Sequence, residues 1–291
     1  MPLDPIARIR RFNRAVTRGA GALDTSFLGR GRPLGVARVL WSIPRMQGDL
    51  TAIRSDLNLD SGLFSRILRQ LESEGLITLT RHAQDGRRRT ALLTAKGAAE
   101  VATYDDLTNA RAAEILSAAP QNDALLAAMD LIATTLNRAH VTIRPADPDD
   151  PAARYCLSAY FDLLTAKIPG VSAAHVPLPD PNADHYRPPN GAFLLAWSDG
   201  LPLGCVSLHT LSPGLGEVKR LWVAPDARGQ GLARRLMLAI EDQARRLGHT
   251  SLCLDTNEAL TEALALYRAT GWTAIAAYSN FPSTDWFSKA L

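Results

Sequence analysis

The chain has 291 residues, of which 46% are hydrophobic and 21% are charged, and its formal net charge is +3. This composition is typical of folded globular proteins and excludes an intrinsically disordered chain, while a chain of this length usually forms two domains. No apolar run is long enough to cross a bilayer, and the N-terminus lacks the apolar block of a secretory signal. Three cysteines at scattered positions fit a reducing compartment, so we expect a cytoplasmic protein without membrane contact.

The helical periodicity of residues 34–77 predicts three short helices joined by tight turns. Asp60 or Ser61 is expected to cap the third helix. Four apolar residues at helical spacing are expected to face the core, namely Leu63, Ile67, Leu68 and Leu71. Two strand-like runs follow, residues 76–82 and 87–94, around a turn at residues 83–86.

Three helices followed by a hairpin with a basic tip predict a winged helix-turn-helix. In that arrangement one helix enters the major groove of DNA and the hairpin reaches the flanking phosphates. The candidate DNA-binding residues are Ser61, Ser65, Arg66 and Arg69 on the third helix and Arg87, Arg88 and Arg89 on the hairpin.

This segment resembles the MarR family of bacterial transcriptional regulators, through the Ser65-Arg66 pair, the Glu-Gly-Leu-Ile sequence that follows the third helix, and Asp85-x-Arg87 in the hairpin. The resemblance implies a DNA-binding domain over residues 1–139 and a homodimer formed through terminal helices. Candidate dimerisation helices cover residues 94–119 and 122–137, although packing within their own domain is an alternative.

A second domain, residues 140–291, is predicted to form a mixed sheet with a few crossing helices. Its most informative segment is Val223–Ala233, where an apolar strand turns through Arg228, Gly229, Gln230 and Gly231 into a helix. Glycines let backbone N–H groups approach a phosphate, and the positive end of the helix favours an anion. The segment therefore predicts a diphosphate site, with an ordinary strand-to-helix turn as the alternative.

Two separated motifs of this domain resemble the GNAT superfamily of N-acetyltransferases. The first is Arg228-Gly-Gln-Gly-Leu-Ala after Val-Ala-Pro, and the second is Asn257 followed by the ALALYRATGW sequence. The resemblance implies an α/β GNAT acyl-CoA N-acyltransferase fold and direct transfer of acetyl from acetyl-CoA to an amine. The implied cofactor-binding residues are Leu221, Trp222, Val223, Arg228, Gly229, Gln230, Gly231, Leu232, Ala233, Asn257 and Tyr267.

Two residues are catalytic candidates. Glu217 is expected to accept the proton of the amine and to share a strand face with Lys219, Leu221 and Val223. Tyr267 is expected to protonate the departing thiolate. The alternatives are a surface carboxylate paired with a neighbouring cation, and a tyrosine that is simply packed. No His or Cys spacing predicts a metal site.

The sequence thus predicts two domains, a mainly α winged helix-turn-helix followed by an α/β domain with a mixed central sheet. The leading interpretation is a transcriptional regulator that binds double-stranded DNA and also acetylates an amine of a small molecule or a lysine. In an alternative, the second domain senses acyl-CoA with little turnover. In a third, the first domain only dimerises the enzyme.

Overall fold

The first half of the chain builds one hydrophobic core from short helices and a hairpin. The computed structural model describes residues 4–81, 89–119, 121–175 and 177–291. The elements of this half are α1 (Pro5–Gly19), α2 (Leu34–Arg45), α3 (Leu50–Asp56), α4 (Ser61–Ser73), β1 (Ile77–Arg81), β2 (Arg89–Leu93) and α5 (Ala95–Ala118). The strands β1 and β2 pair antiparallel, with Ile77 opposite Leu93.

Helix α4 begins where the sequence predicts, because the Asp60 side chain accepts a hydrogen bond from the backbone N–H of Leu63 at 2.8 Å. Its buried side chains are those of Phe64, Ile67, Leu68 and Leu71. The expectation for Leu63 is wrong, since this side chain is 37% exposed. Phe64, one residue later and about 100° further round the helix, takes the core position instead.

The second half of the chain contains the large sheet. Its elements are α6 (Asn122–Asn137), β3 (Thr142–Pro145), α7 (Pro151–Lys167), β4 (Gly191–Ser198), β5 (Leu201–Ser212), β6 (Leu215–Val223), α8 (Leu232–Arg246), β7 (Ser251–Thr256), α9 (Thr261–Ala269), β8 (Thr273–Ala274) and β9 (Asp285–Ala290). The strand order is β3-β4-β5-β6-β7-β9-β8. Within the described residues, β6 and β7 are the parallel pair and the other neighbours are antiparallel, so the sheet is mixed, as predicted.

Each face of the sheet is covered by helices. Leu236, Met237 and Ile240 of α8 pack in the core on one face. Leu157 and Phe161 of α7 pack in the core on the other face. The sheet is thus enclosed between α7 and α8, which leaves the ends of its central strands for a functional site.

The chain divides into two compact units, Met1–Pro120 and Gln121–Leu291. The division falls earlier than the boundary expected between residues 139 and 140, because α6 packs against the Pro225–Ala227 turn of the second unit. None of the helices described is both long and apolar enough to span a lipid bilayer.

Candidate active site

The loop between β6 and α8 forms an open cradle of backbone N–H groups. Gly229 and Gly231 have φ angles of +71° and +79°, and no atom lies within 4 Å of the place where a side chain would begin. Gly231 caps α8 without any side-chain hydrogen bond, so the first N–H groups of that helix have no capping partner. The predicted loop therefore has the space and the donors that a diphosphate group requires.

Two side chains of this loop, those of Arg228 and Gln230, donate hydrogen bonds to backbone carbonyls near the loop. Arg228 Nε donates to the carbonyl of Val223 at 3.1 Å, and Gln230 Nε2 donates to the carbonyl of Asp226 at 3.0 Å. Leu232 is buried in the core. The cradle therefore offers backbone groups, and Arg228 and Gln230 hold their position.

The two parallel strands separate beside this cradle. The β6–β7 pairing runs from Leu215 opposite Ser251 to Glu217 opposite Cys253 and ends there, although β6 continues to Val223. Beyond Glu217, the edge of β6 that faces β7 has no strand partner. We call this opening the β6–β7 gap, and the predicted cofactor residues Leu221, Trp222 and Val223 lie on β6 beside it.

A bulge at Arg220 changes which residues of β6 share a face. Arg220 has φ +60°, and the pairing with β5 shifts register around it. Leu221 and Val223 consequently join the core that contains Val218, while Trp222 joins the opposite core. The expectation that Leu221 and Val223 share a face with Glu217 is therefore wrong, because it assumed unbroken alternation.

Glu217 is buried at the closed end of the β6–β7 gap and has three polar partners. His209 Nε2 lies 2.7 Å from one carboxylate oxygen, while Lys219 Nζ and the Tyr278 hydroxyl lie 2.8 and 2.9 Å from the other. Burial alone would raise the pKa of Glu217, but the hydrogen bond from His209 and the charge of Lys219 outweigh burial and lower the pKa below its ordinary value. Glu217 is therefore an ionised acceptor, not a surface carboxylate.

Lys219 joins Glu217 to a second carboxylate. Its ammonium lies 2.7 Å from Asp255 on β7, and Ser279 and Ser283 donate hydrogen bonds to the other oxygen of Asp255. Burial opposes the charge on Lys219, yet the two carboxylates raise its pKa above the ordinary value. With two carboxylates around one ammonium, this cluster keeps a formal charge of −1.

Tyr267 lies on α9 between aromatic neighbours. Its ring centroid is 6.0 Å from that of Trp272 and 5.8 Å from that of Phe287. Burial raises the pKa of Tyr267, so the hydroxyl keeps its proton at neutral pH. Among the described residues no partner bonds this hydroxyl, although it is not among the fully enclosed polar atoms. Such a hydroxyl is free to donate to a ligand.

Asn257 follows β7 and is held within the chain. Its amide group donates to the carbonyl of Pro282, and its carbonyl oxygen accepts from the N–H of Ala259 at 2.9 Å. The carbonyl oxygen keeps a second acceptor site. A cleft of about 570 Å³ opens here at the carboxyl end of β7, which we call the β7-end cleft. It is lined by Lys167, Ile168, Pro169, Asn257, Glu258, Ala259, Phe281 and Thr284.

The proline-rich segment before β4 is tied to the bulge. Arg220 donates twice to Asp180, at 3.0 and 3.2 Å, and Asp180 also accepts from the N–H of Asn182. The Asp180 side chain is only 2% exposed. Arg220 thus ties Asp180 of this segment to β6 at the bulge.

Sequence reasoning missed His209, Tyr278, Asp255 and the Asp180–Arg220 pair. His209 lies directly opposite Glu217 on β5, but a register shift between Thr210 and Ser212 separates this pair from the turn, so counting back from the turn does not predict the pairing. Tyr278 comes from an irregular loop after β8, and no periodic pattern predicts which residue of such a loop folds over the sheet.

The candidate DNA-binding residues lie in the first unit. Ser61, Ser65, Arg66 and Arg69 are all exposed on α4. Arg89 is exposed at the start of β2. Arg87 and Arg88 lie outside the described residues.

Part of the sheet domain matches the model of a known protein family. Residues 159–272 match the model of the "Acetyltransferase (GNAT) family". This range contains the second half of α7, the cradle, the β6–β7 gap and Tyr267, so the match covers most of the candidate site.

Two sequence relatives carry acetyltransferase names. An uncharacterised N-acetyltransferase of Schizosaccharomyces pombe is 38% identical over 33% of this chain and 61% of its own length. A protein named IAA acetyltransferase from Azospirillum brasilense is 42% identical over 29% of this chain and 56% of its own length. The chain thus spans less than two thirds of either relative.

One similar solved structure is a GNAT family acetyltransferase from Elizabethkingia anophelis with acetyl-CoA bound. It is 19% identical and covers 52% of this chain and 98% of its own, with a TM-score of 0.38.

Proposed function

Because residues 159–272 match the GNAT acetyltransferase family model, we propose that the chain transfers an acetyl group from acetyl-CoA directly to an amine. The observation that carries this proposal is the open cradle at Gly229 and Gly231, followed along the sheet by the β6–β7 gap and the buried Glu217. Release of free thiol from acetyl-CoA across a panel of amines tests it.

The backbone of the cradle, from Gly229 to Ala233, would hold the diphosphate of the cofactor. Backbone groups of Leu221, Trp222 and Val223 beside the β6–β7 gap would hold its pantetheine arm and the carbonyl of the acetyl group. When bound, acetyl-CoA supplies an activated thioester. Asn257 contributes its remaining acceptor site, while Tyr267 donates the proton that the thiolate needs.

Glu217 is the proposed base, and replacing it with glutamine should lower kcat/KM at least about 100-fold, the usual contribution of a general base. Because its pKa is lowered, Glu217 stays ionised from about pH 6 to 9, so the wild-type profile in that range should contain no step from Glu217. Steady-state thiol release against pH measures both effects.

The matched control is Glu241→Gln. Glu241 is as deeply buried as Glu217, but its carboxylate pairs with Lys289, at 2.7 Å, and lies outside the β6–β7 gap. If Glu241→Gln and Glu217→Gln lose activity and thermal stability together, Glu217 acts through folding and its catalytic assignment is wrong.

The alternative role, an acyl-CoA sensor with little turnover, differs in one measurable way. A sensor requires that acetyl-CoA change DNA affinity and that DNA change acetyl-CoA affinity by the same factor. Turnover with any amine in the panel, without this reciprocal change, favours the enzyme.

We also propose that Met1–Pro120 binds double-stranded DNA as a MarR-like regulator does. Supporting observations are the order of three helices and a hairpin, and the exposed polar side chains on α4. The charge is also uneven, since this unit has 18 Lys and Arg against 12 Asp and Glu, while Gln121–Leu291 has 14 against 17. Phosphate binding favours the more basic unit.

Duplex binding should weaken steeply with salt, with a log–log slope of about −0.9 for each phosphate contacted. The double change Arg66→Gln and Arg69→Gln should flatten that slope by about 2, whereas Arg38→Gln on α2 should leave it unchanged. Fluorescence anisotropy of a labelled duplex at several salt concentrations measures the slopes. If the chain fails to bind the duplex at low salt, the DNA-binding proposal is wrong, and dimerisation is the role that is left for this unit.

We further propose that the chain forms a homodimer through α1. This helix exposes Ile6, Ile9, Phe12 and Val16 on one side and buries no side chain among the described residues. An amphipathic helix is usually stable when its apolar side is covered. Sedimentation equilibrium should show a dimer, and the double change Ile9→Glu and Val16→Glu should give a monomer.

A further inference from the structure

The β7-end cleft has an uneven distribution of charge. Glu258 lies on its wall with an exposed carboxylate, and no ion pair to it occurs among the described residues. Lys167, the cation of the same wall, lies 3.1 Å from Glu262 and is neutralised by it. The cleft therefore presents a carboxylate without a counter-charge and an ammonium that already has one.

The cluster at the β6–β7 gap has the same sign. Asp255 precedes the cleft residues Asn257 and Glu258 at the end of β7. Its ammonium partner Lys219 is shared with Glu217, which leaves the cluster one negative charge in excess. Arg220 is engaged by Asp180. Lys167, Lys219 and Arg220 are thus each paired with a carboxylate, so none of these three is available for a carboxylate on a substrate.

An apolar surface completes the cleft. Phe281 is 59% exposed on its wall, in a loop whose Ser279 and Ser283 bond to Asp255 and whose Tyr278 bonds to Glu217. The same loop thus connects the exposed ring with the proposed base. An acceptor lying on this ring would have the Glu258 carboxylate in the same cleft.

We infer that the acceptor is a cationic primary amine with no neighbouring carboxylate and with an apolar body that rests on Phe281. This inference rests on the proposed acetyl transfer. In the reaction, the ammonium gives a proton to Glu217, and its nitrogen forms a bond to the acetyl carbon. The carbon–sulfur bond then breaks with its electron pair on sulfur, and the thiolate receives a proton from Tyr267. The nitrogen loses its second proton to solvent, from which the Tyr267 phenolate regains one, so the products are the neutral amide, the free thiol and one released proton. A carboxylate beside the amine meets uncompensated like charge, which disfavours amino acids.

Matched pairs of amines test the inference, because tyramine and tyrosine, or cadaverine and lysine, differ by one carboxylate. We expect kcat/KM for tyramine to exceed that for tyrosine by about tenfold or more. Glu258→Gln should raise KM for tyramine up to about fivefold, the size of one exposed charge contact. Glu262→Gln, which frees Lys167, should reduce the preference. Asp199→Asn, an exposed carboxylate in the β4–β5 turn, should change neither.

Calorimetric binding of the same amines to the chain with CoA present gives a second readout. Equal or stronger binding and turnover of the carboxylate-bearing amines would overturn the inference while leaving acetyl transfer intact. If tyramine binds more tightly than tyrosine but no amine releases thiol, the acceptor class stands and the proposed transfer fails. If neither amine of a pair binds preferentially, the cleft is not an amine site.

Discussion

Replacing Tyr267 with phenylalanine should lower kcat about 100-fold while leaving the Kd for acetyl-CoA nearly unchanged. The change removes one oxygen that has no hydrogen-bond partner among the described residues and leaves the aromatic packing with Trp272 and Phe287 in place. Removing such a hydroxyl is close to neutral for folding, so a loss of turnover reports on chemistry. Thiol release and calorimetry measure the two quantities.

The control for Tyr267 is Tyr104→Phe, a buried tyrosine of the first unit. Normal turnover by Tyr267→Phe would mean that water or another group protonates the thiolate. A rise in Kd equal to the loss in kcat/KM would instead make Tyr267 a binding residue.

Gly231→Val should weaken binding of CoA at least about 100-fold, because a β-branched residue in the left-handed region distorts the cap of α8 and fills the space of the cradle. In the free chain no atom lies within 4 Å of the Cβ position at Gly231, so the first atom of the new side chain meets no clash. Calorimetric titration with CoA gives the affinity.

Gly200→Val is the matched control for this change. Gly200 lies in the β4–β5 turn with φ +82°, also has no neighbour within 4 Å, and lies outside the cradle. Both variants should lose about 1–2 kcal/mol of stability from the left-handed conformation. If Gly200→Val weakens CoA binding as much, the cradle does not hold the diphosphate.

The cradle was predictable from the sequence because its chemistry depends on the backbone. Gly229 and Gly231 adopt the positive φ angles that glycine favours, and α8 begins at Leu232 directly after them. Mixed strands and helices also appear in the predicted order. These features depend on local preferences, which a single sequence displays.

The bulge at Arg220 was not predictable, because it does not depend on local preferences. Arg220 is neither glycine nor asparagine, yet it adopts φ +60°, held there by its pairing with Asp180 from a distant segment. Two side chains forty positions apart decide this conformation. Tyr278 and Asp255 were also not predictable, because they join the site only through tertiary packing. Tertiary packing likewise decides that Phe64 takes the core position expected for Leu63.

The proline-rich segment contains a buried residue that is bonded to the sheet, Asp180, and exposed residues that are not. Asp180 is buried and pairs with Arg220 of the sheet, whereas Asp184 and His185 of the same segment are exposed. Exchanges at those exposed positions can therefore alter which compounds are accepted while the catalytic framework keeps its shape. Laboratory evolution toward a new acceptor should begin there and spare Asp180.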